Sequence, residues 1–218
     1  MPATDAPSPG LPELQTCELG LCAYQTVWDD MRRYTQARDN NSADQIWYCQ
    51  HHPVYTLGLN GKRHHLLQQT DIPVIPVDRG GQITYHGPGQ LIAYLLIDIN
   101  RLNISIKALV TGIEQAIIDY LAELGFRAER KQGAPGIYIK GAKIAALGLR
   151  VKKGRTYHGL SFNVDMDLSP FKDINPCGYE GMPVTQLADL LGDACPDMTQ
   201  VKSTLHTHLS HQLGYNTA

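Results

Sequence analysis

The sequence has no apolar run long enough to cross a bilayer. Roughly 18 residues are needed, and the best candidate, Leu91 to Ile97, is strand-sized. A secretory or transit leader is not expected either, because residues 1 to 15 carry no basic side chain and the first arginine is Arg32. Paired cysteines are also lacking. The five present, at 17, 22, 49, 177 and 195, are odd in number and irregularly spaced. That excludes a disulfide framework and points to a reducing, cytoplasmic compartment. Cys17 and Cys22 are too far apart for CxxC, and His51, His52, His64 and His65 have no partner at a ligand spacing. No metal site is expected, and these histidines read as loop or surface residues. There is no strong excess of charge: the net value of −2 argues against a dedicated nucleic-acid binder.

What is present suits a soluble globular chain. A hydrophobic fraction of 43% over 218 residues is enough to build a real core. Residues 1 to 13, rich in Pro and Ala, read as a mobile leader, and 14 to 218 as one domain. Val27, Trp28, Met31 and Tyr34 recur at helical spacing and predict a helix from Tyr24 to about Arg38. Short strands are expected at 45–50, 54–57 and 74–78, with a buried strand over 91–99. Ser105 caps a second helix that Gly125 ends. Strands over 136–140, 143–151 and 157–164 follow, the last two joined by a hairpin with a basic tip, Lys152 to Arg155. Helices near 184–191 and 197–213 close the chain, with His206, His208 and His211 at the surface. This order predicts an α+β fold with one principal mixed sheet flanked by helices.

Charge is unevenly distributed. Between Phe126 and Arg155 there are nine basic residues and one acid; between Thr156 and Gln200 there are seven acids and one base. The basic stretch is either a solvated face or a docking patch for an acidic protein.

Two residues bracket the stretch with the most chemistry, Lys143 and the Cys177 of Asn175-Pro176-Cys177-Gly178. A free thiol near pKa 8.5 is only a few per cent thiolate at neutral pH, so a cysteine that attacks an acyl carbon needs activation. An ammonium about 4 Å away offers up to about 4 kcal/mol at an effective dielectric of about 20. By residue type alone, Cys177 fits a buried apolar residue as well as a nucleophile, and Lys143 a surface residue as well as an activator. Gly136 to Lys143 has the outline of a Walker A loop but fails it. Ala142 intervenes before the lysine, and Ile144 stands where Ser or Thr would bind magnesium. Ser161 lacks a GxSxG elbow. The loop from Arg79 to Gln90, with four glycines, lets backbone amides approach a ligand.

Four ordered blocks carry a resemblance. They are Arg79-Gly-Gly-Gln-Ile-Thr-Tyr-His-Gly-Pro-Gly-Gln90, Gly141-Ala-Lys-Ile-Ala-Ala-Leu-Gly-Leu-Arg150, His158-Gly-Leu-Ser-Phe-Asn-Val164 and Asn175-Pro-Cys-Gly178. Together they resemble the bacterial lipoyl(octanoyl) transferases, from about residue 45 to 190. The resemblance implies the lipoate/biotin protein ligase fold, with a large mixed sheet and a smaller C-terminal part. It implies octanoyl transfer from octanoyl-acyl carrier protein, through a thioester on Cys177, to one lysine of apo lipoyl domains. The acceptors would be 2-oxoacid dehydrogenase E2 subunits and the glycine-cleavage H protein. Lys143 becomes the partner of Cys177 in a Cys/Lys dyad, with no cofactor, metal, nucleic acid or membrane required. The acyl-substrate contacts map to Arg79, Gly80, Gly81, Gln82, Ile83, Thr84, Tyr85 and His86, to Ala146, Leu147 and Gly148, and to Gly159, Leu160 and Ser161. His86 becomes a pocket residue rather than the base.

Overall fold

The computed structural model describes residues 14–215, with Cys177 described by its backbone alone. The expected leader, residues 1–13, lies outside the described residues. In chain order the elements are β1 Leu14–Cys22, α1 Tyr24–Ala37, β2 Asp44–His51, β3 Val54–Leu57, β4 Val74–Pro76, β5 Ile83–His86, β6 Gln90–Leu96, α2 Ile106–Glu123, β7 Ala128–Lys131, β8 Ala134–Ile139, β9 Ala142–Lys152, β10 Arg155–Asn163, α3 Leu187–Leu191 and α4 Met198–Leu213.

A seven-stranded sheet runs β1-β2-β6-β10-β9-β8-β7, and a small one runs β4-β3-β5. The large sheet is mixed, since β1 pairs parallel with β2 while the other neighbours are antiparallel. This is the expected α+β architecture, although the Gly-rich loop also contains a strand, β5, which joins β3 and β4 in the second sheet.

The period of two decides which helix covers which face. Ile46, Tyr48, Leu91, Ala93 and Leu95 pack with Leu109, Ile113 and Ile117 of α2 and Leu205 and Leu209 of α4. Trp47, Cys49, Ile92, Tyr94 and Leu96 take the opposite face, with Tyr24, Val27 and Met31 of α1. Every residue of β6 is buried because both faces are covered.

The expected ends of α2 hold, with Gly125 following its last turn in the left-handed region at φ 83°. The Ser105 hydroxyl accepts from the Ala108 amide at 3.0 Å, and Asp197 forms a capping box with Gln200 at the start of α4. Gly214 ends α4 in the left-handed conformation at φ 79°.

Other expectations need correction. β1 was not anticipated: it is an edge strand whose Leu19 and Leu21 are exposed, and it forms through backbone pairing to β2, with an irregularity between Glu18 and Gly20. The segment expected to start a helix at 184 is extended instead. The Lys143 amide donates to Pro183 O at 2.8 Å and its carbonyl accepts from the Thr185 amide at 2.9 Å, so α3 starts only at Leu187. Arg155 does not project from the hairpin. Its side chain, 17% exposed, pairs with Asp98 at 3.3 Å and donates to Arg38 O. Lys152 and Lys153 are the exposed residues of that tip.

Candidate active site

The site is built on small side chains. In the β9/β10 ladder Ala146 faces Ser161 and Gly148 faces Gly159, while on the other side of β10 Ser161 faces Ile92 and Gly159 faces Tyr94. Three adjacent strands thus present two rows on one face, and four of the six residues have almost no side chain. The missing volume is a cavity of about 360 Å³, at the small end of the range for ligand sites. Enlarging the floor is blocked, because a methyl built on Gly159 would sit 2.0 Å from Ala93 O.

Arg79, Gly81, Gln82, Ile83, Thr84 and His86 wall the cavity from the β5 side, and Ala146, Leu147, Gly148, Gly159, Leu160 and Ser161 line it from β9 and β10. Two of the expected contacts stand apart. Gly80 turns its backbone to the sheet, donating to Leu149 O at 3.1 Å. Tyr85 packs into the third apolar cluster, with Tyr55 and Phe171. Arg79 shapes the loop: its guanidinium donates to the carbonyls of Thr56, Gly80 and Gln82 at 2.7 to 2.8 Å.

The sequence reading missed Tyr24, Tyr94 and His158, which also line the cavity. His158 lies within a quoted block, but its backbone is what brings it here. A φ of 61° is one that L residues rarely adopt, and it lets His158 share the cavity with its neighbour Gly159. His158 Nε2 donates to Asp78 at 2.9 Å and Nδ1 lies 3.4 Å from the Tyr24 hydroxyl. Burial works against the Asp78 carboxylate, yet hydrogen bonds from His158, Tyr157 and Trp28 hold it well below the usual carboxylate range. Burial pushes His86 down to about 3. Its Nδ1 faces Gln90 Oε1 at 2.7 Å and its Nε2 the Thr56 hydroxyl at 3.3 Å. So low a pKa makes His86 a poor proton acceptor near neutrality.

Lys143 lies on β9, 4% exposed. Its Nζ donates to Pro135 O at 2.7 Å and stands 5.6 Å from the Tyr138 ring centroid. Pro135 is itself a cavity-lining residue. Gly136 makes this path possible, since at φ 132° a methyl there would lie 2.5 Å from Lys143 Cε. A second, narrow cleft is lined by Lys143, Thr84, Ala146, Ser161 and Pro176. Thr84, Ala146 and Ser161 belong to both spaces. Cys177 follows Pro176 on a short helical turn, Pro176–Gly178. Beyond it, a methyl built on Gly178 would come 3.4 Å from Gln82 Cγ in the cavity wall.

Behind the wall, contrary to the expectation of loop histidines, His51 is fully buried. Strand pairing of β1 with β2 gathers it with Cys22 and Cys49. No spacing in the sequence signals this, because the three come from two strands separated by α1. Among the described residues, no helix is long and apolar enough to cross a membrane.

The lipoyl protein ligase A/B catalytic domain family matches residues 23–210. An octanoyltransferase of Stutzerimonas stutzeri is 54% identical over 91% of this chain and 90% of its own length. A bipartite lipoate protein ligase with its E2 lipoyl domain, from Thermoplasma acidophilum, superposes with a TM-score of 0.74 at 15% identity, over 95% of this chain and 86% of that one. Biotin protein ligase from Aquifex aeolicus, in complex with biotin and ATP, gives 0.57 at 13%, over 92% and 70%. The two structural likenesses carry the fold, and the sequence matches carry the lineage: this chain belongs to the octanoyltransferases, acyltransferases of the lipoyl protein ligase A/B catalytic-domain family.

Proposed function

We propose that this chain, acting as one catalytic domain over 14–218 in the cytoplasm, moves an octanoyl group from acyl carrier protein to lipoyl domains by way of Cys177. The Cys177 thiolate attacks the thioester carbonyl of octanoyl-phosphopantetheine. The C–S bond to pantetheine breaks, the carrier thiol leaves with the proton given up by the Lys143 ammonium, and a thioester on Cys177 forms. The neutral ε-amine of an acceptor lysine then attacks that thioester, the amide forms, and Cys177 is released. Thioester exchange is nearly balanced and amide formation is downhill, so the sequence of steps calls for no nucleotide or cofactor.

Lys143 stabilises the thiolate and then takes the proton from the incoming amine. The residues shared by the cavity and the Lys143 cleft carry this reading, with Pro176 of the Cys177 turn lining that cleft. The apolar chain would lie over Ala146, Gly148, Gly159 and Ser161, and Tyr94, Tyr24 and His158 would close its far end. The relative's name supports octanoyl as the cargo, and the lipoyl domain solved with the Thermoplasma ligase supports lipoyl domains as the acceptor class.

Intact-mass measurement after mixing with octanoyl-acyl carrier protein tests it. One octanoyl adduct, mapped to Cys177 and discharged by apo lipoyl domain, is expected. Labelling of the acceptor only from free octanoate and ATP, with no adduct, would overturn it. Lys143→Ala should move the pH dependence of Cys177 alkylation upward; an unchanged profile removes its activating role.

A further inference from the structure

Cys22 is the last residue of β1 and half-buried, and Cys49 and His51 lie on the adjoining β2, both buried. Their donor atoms all fall within 4.8 Å of one another. Cys49 Sγ is 3.6 Å from His51 Nε2, the nitrogen free to ligate, while Cys22 Sγ lies 3.8 Å from the other ring nitrogen, Nδ1. With metal–sulfur bonds of about 2.3 Å and metal–nitrogen bonds of about 2.0 Å, tetrahedral ligand atoms stand roughly 3.3 to 3.8 Å apart. The cluster therefore sits within about an ångström of a coordinating arrangement. The imidazole is also oriented for the task. Its Nδ1 lies 3.0 Å from the Cys22 carbonyl, which accepts its proton and leaves the Nε2 lone pair directed at the Cys49 side, the outer-shell arrangement that usually accompanies a metal-binding histidine.

We propose that Cys22, Cys49 and His51 form a binding site for a soft or borderline d10 cation, zinc(II) foremost. Two thiolates and an imidazole, without a carboxylate, select such an ion over magnesium or calcium. Binding releases thiol protons to solvent.

A disulfide fits the same two sulfurs less well. Cys22 pairs with His51 in the ladder, and Gly20 with Cys49, so the cysteines are diagonal neighbours. Two residues along a strand and one strand across put their Cα atoms about 8 Å apart, beyond the roughly 7 Å limit for an unstrained bridge. A metal spans the gap without moving the strands.

The site would adjoin the cavity. His51 Nε2 is 2.6 Å from the Tyr94 hydroxyl, and Tyr94 lines the acyl cavity. A cation on Nε2 takes that lone pair from Tyr94 and frees the hydroxyl to turn. The inference stands apart from the octanoyl-transfer reading, since it concerns binding and not turnover.

The test uses the full-length, fully reduced chain in a Cys177→Ser background, which takes the proposed catalytic thiol out of the readout. Titration with cobalt(II) should give one equivalent bound per chain, with thiolate-to-cobalt charge-transfer and tetrahedral d–d absorption, both abolished by zinc(II). Cys22→Ser and Cys49→Ser should each weaken binding at least tenfold, and Cys195→Ser should leave it unchanged. As a readout that needs no variant at the site, zinc should protect Cys22 from iodoacetamide by at least tenfold in peptide mapping. No charge-transfer band, an unaltered band in Cys22→Ser, or absent protection overturns the proposal. A Cys22–Cys49 disulfide formed by peroxide in a chain that retains no metal overturns it too.

Discussion

The two faces of the large sheet are packed from the same strands by opposite rules. Toward α2 and α4 the buried residues are mainly aliphatic, among them Ile46, Leu91, Leu95, Leu109, Ile113, Ile117, Leu205 and Leu209, with Tyr48, Tyr120 and Phe162 between them. Toward α1 and the cavity they also include Tyr24, His51, His86, Tyr94 and His158, each hydrogen-bonded or ring-packed to another polar group. Aliphatic side chains need no hydrogen-bond partners. A polar face must satisfy every donor and acceptor or lose about 1–3 kcal/mol for each failure. The first face holds the fold together, and the second spends part of that stability on a shaped, ligand-sized space.

The sharpest way to break this contrast is to cut each face separately. Cys177→Ser should lower octanoyl transfer by at least about a thousandfold, as expected for loss of a nucleophile, with the melting temperature nearly unchanged. A variant that keeps its rate would remove the thioester from the pathway. Ile117→Ala, fully buried on the aliphatic side, should do the reverse, costing about 2–5 kcal/mol in denaturant unfolding while the folded fraction keeps its rate constant.

Gly136→Ala tests the join between the two. It adds a methyl 2.5 Å from Lys143 Cε at a backbone φ of 132°, so both stability and transfer should fall, stability by about 1–3 kcal/mol. Unchanged transfer would mean that the path of Lys143 past Gly136 is immaterial.

The polar face should also mark the acid response. His86 is held at about 3, below the unfolded reference of about 6.5. Below that reference the unfolded chain binds the extra proton, so stability is lost as pH falls from about 6.5 toward 3, at up to about 1.4 kcal/mol per unit. His86→Gln should flatten the unfolding free energy over that window, and a slope identical to wild type would contradict the assignment. The smallest effect is expected at the surface. Lys152→Glu with Lys153→Glu should leave stability within about 0.5 kcal/mol and raise KM for octanoyl-acyl carrier protein more than for a small octanoyl thioester. Equal effects on both substrates would exclude the hairpin tip as a docking surface. Arg155→Glu does not suit this purpose, because it would break the Asp98 pair.

Elements with periodic apolar residues and local stop signals were legible in the sequence: α1, α2 with Ser105 and Gly125, the span of α4, and the β9–β10 hairpin. β1 and the extended segment before α3 were not, since both are set by distant backbone partners, β2 and Lys143. Within the site, glycine-rich and small-residue blocks named most of the cavity wall, because small residues leave volume wherever they face a ligand. Tyr24 and Tyr94 read only as members of a helix and a strand, and nothing local distinguishes a core tyrosine from one in a cavity.

Sequence alone therefore determined the lineage, the chemistry available to a thiol and a lysine, and the secondary elements whose signals lie within a few residues. The tertiary structure alone decided which side chains share a space: Arg155 locked to Asp98 rather than offered to a partner, His158 turned into the cavity, and Cys22 brought to Cys49 and His51 across α1. The physical reason is range. Caps, turns and apolar periodicity act over a turn of helix or a pair of strand residues, whereas burial and proximity depend on pairings between segments far apart in the chain.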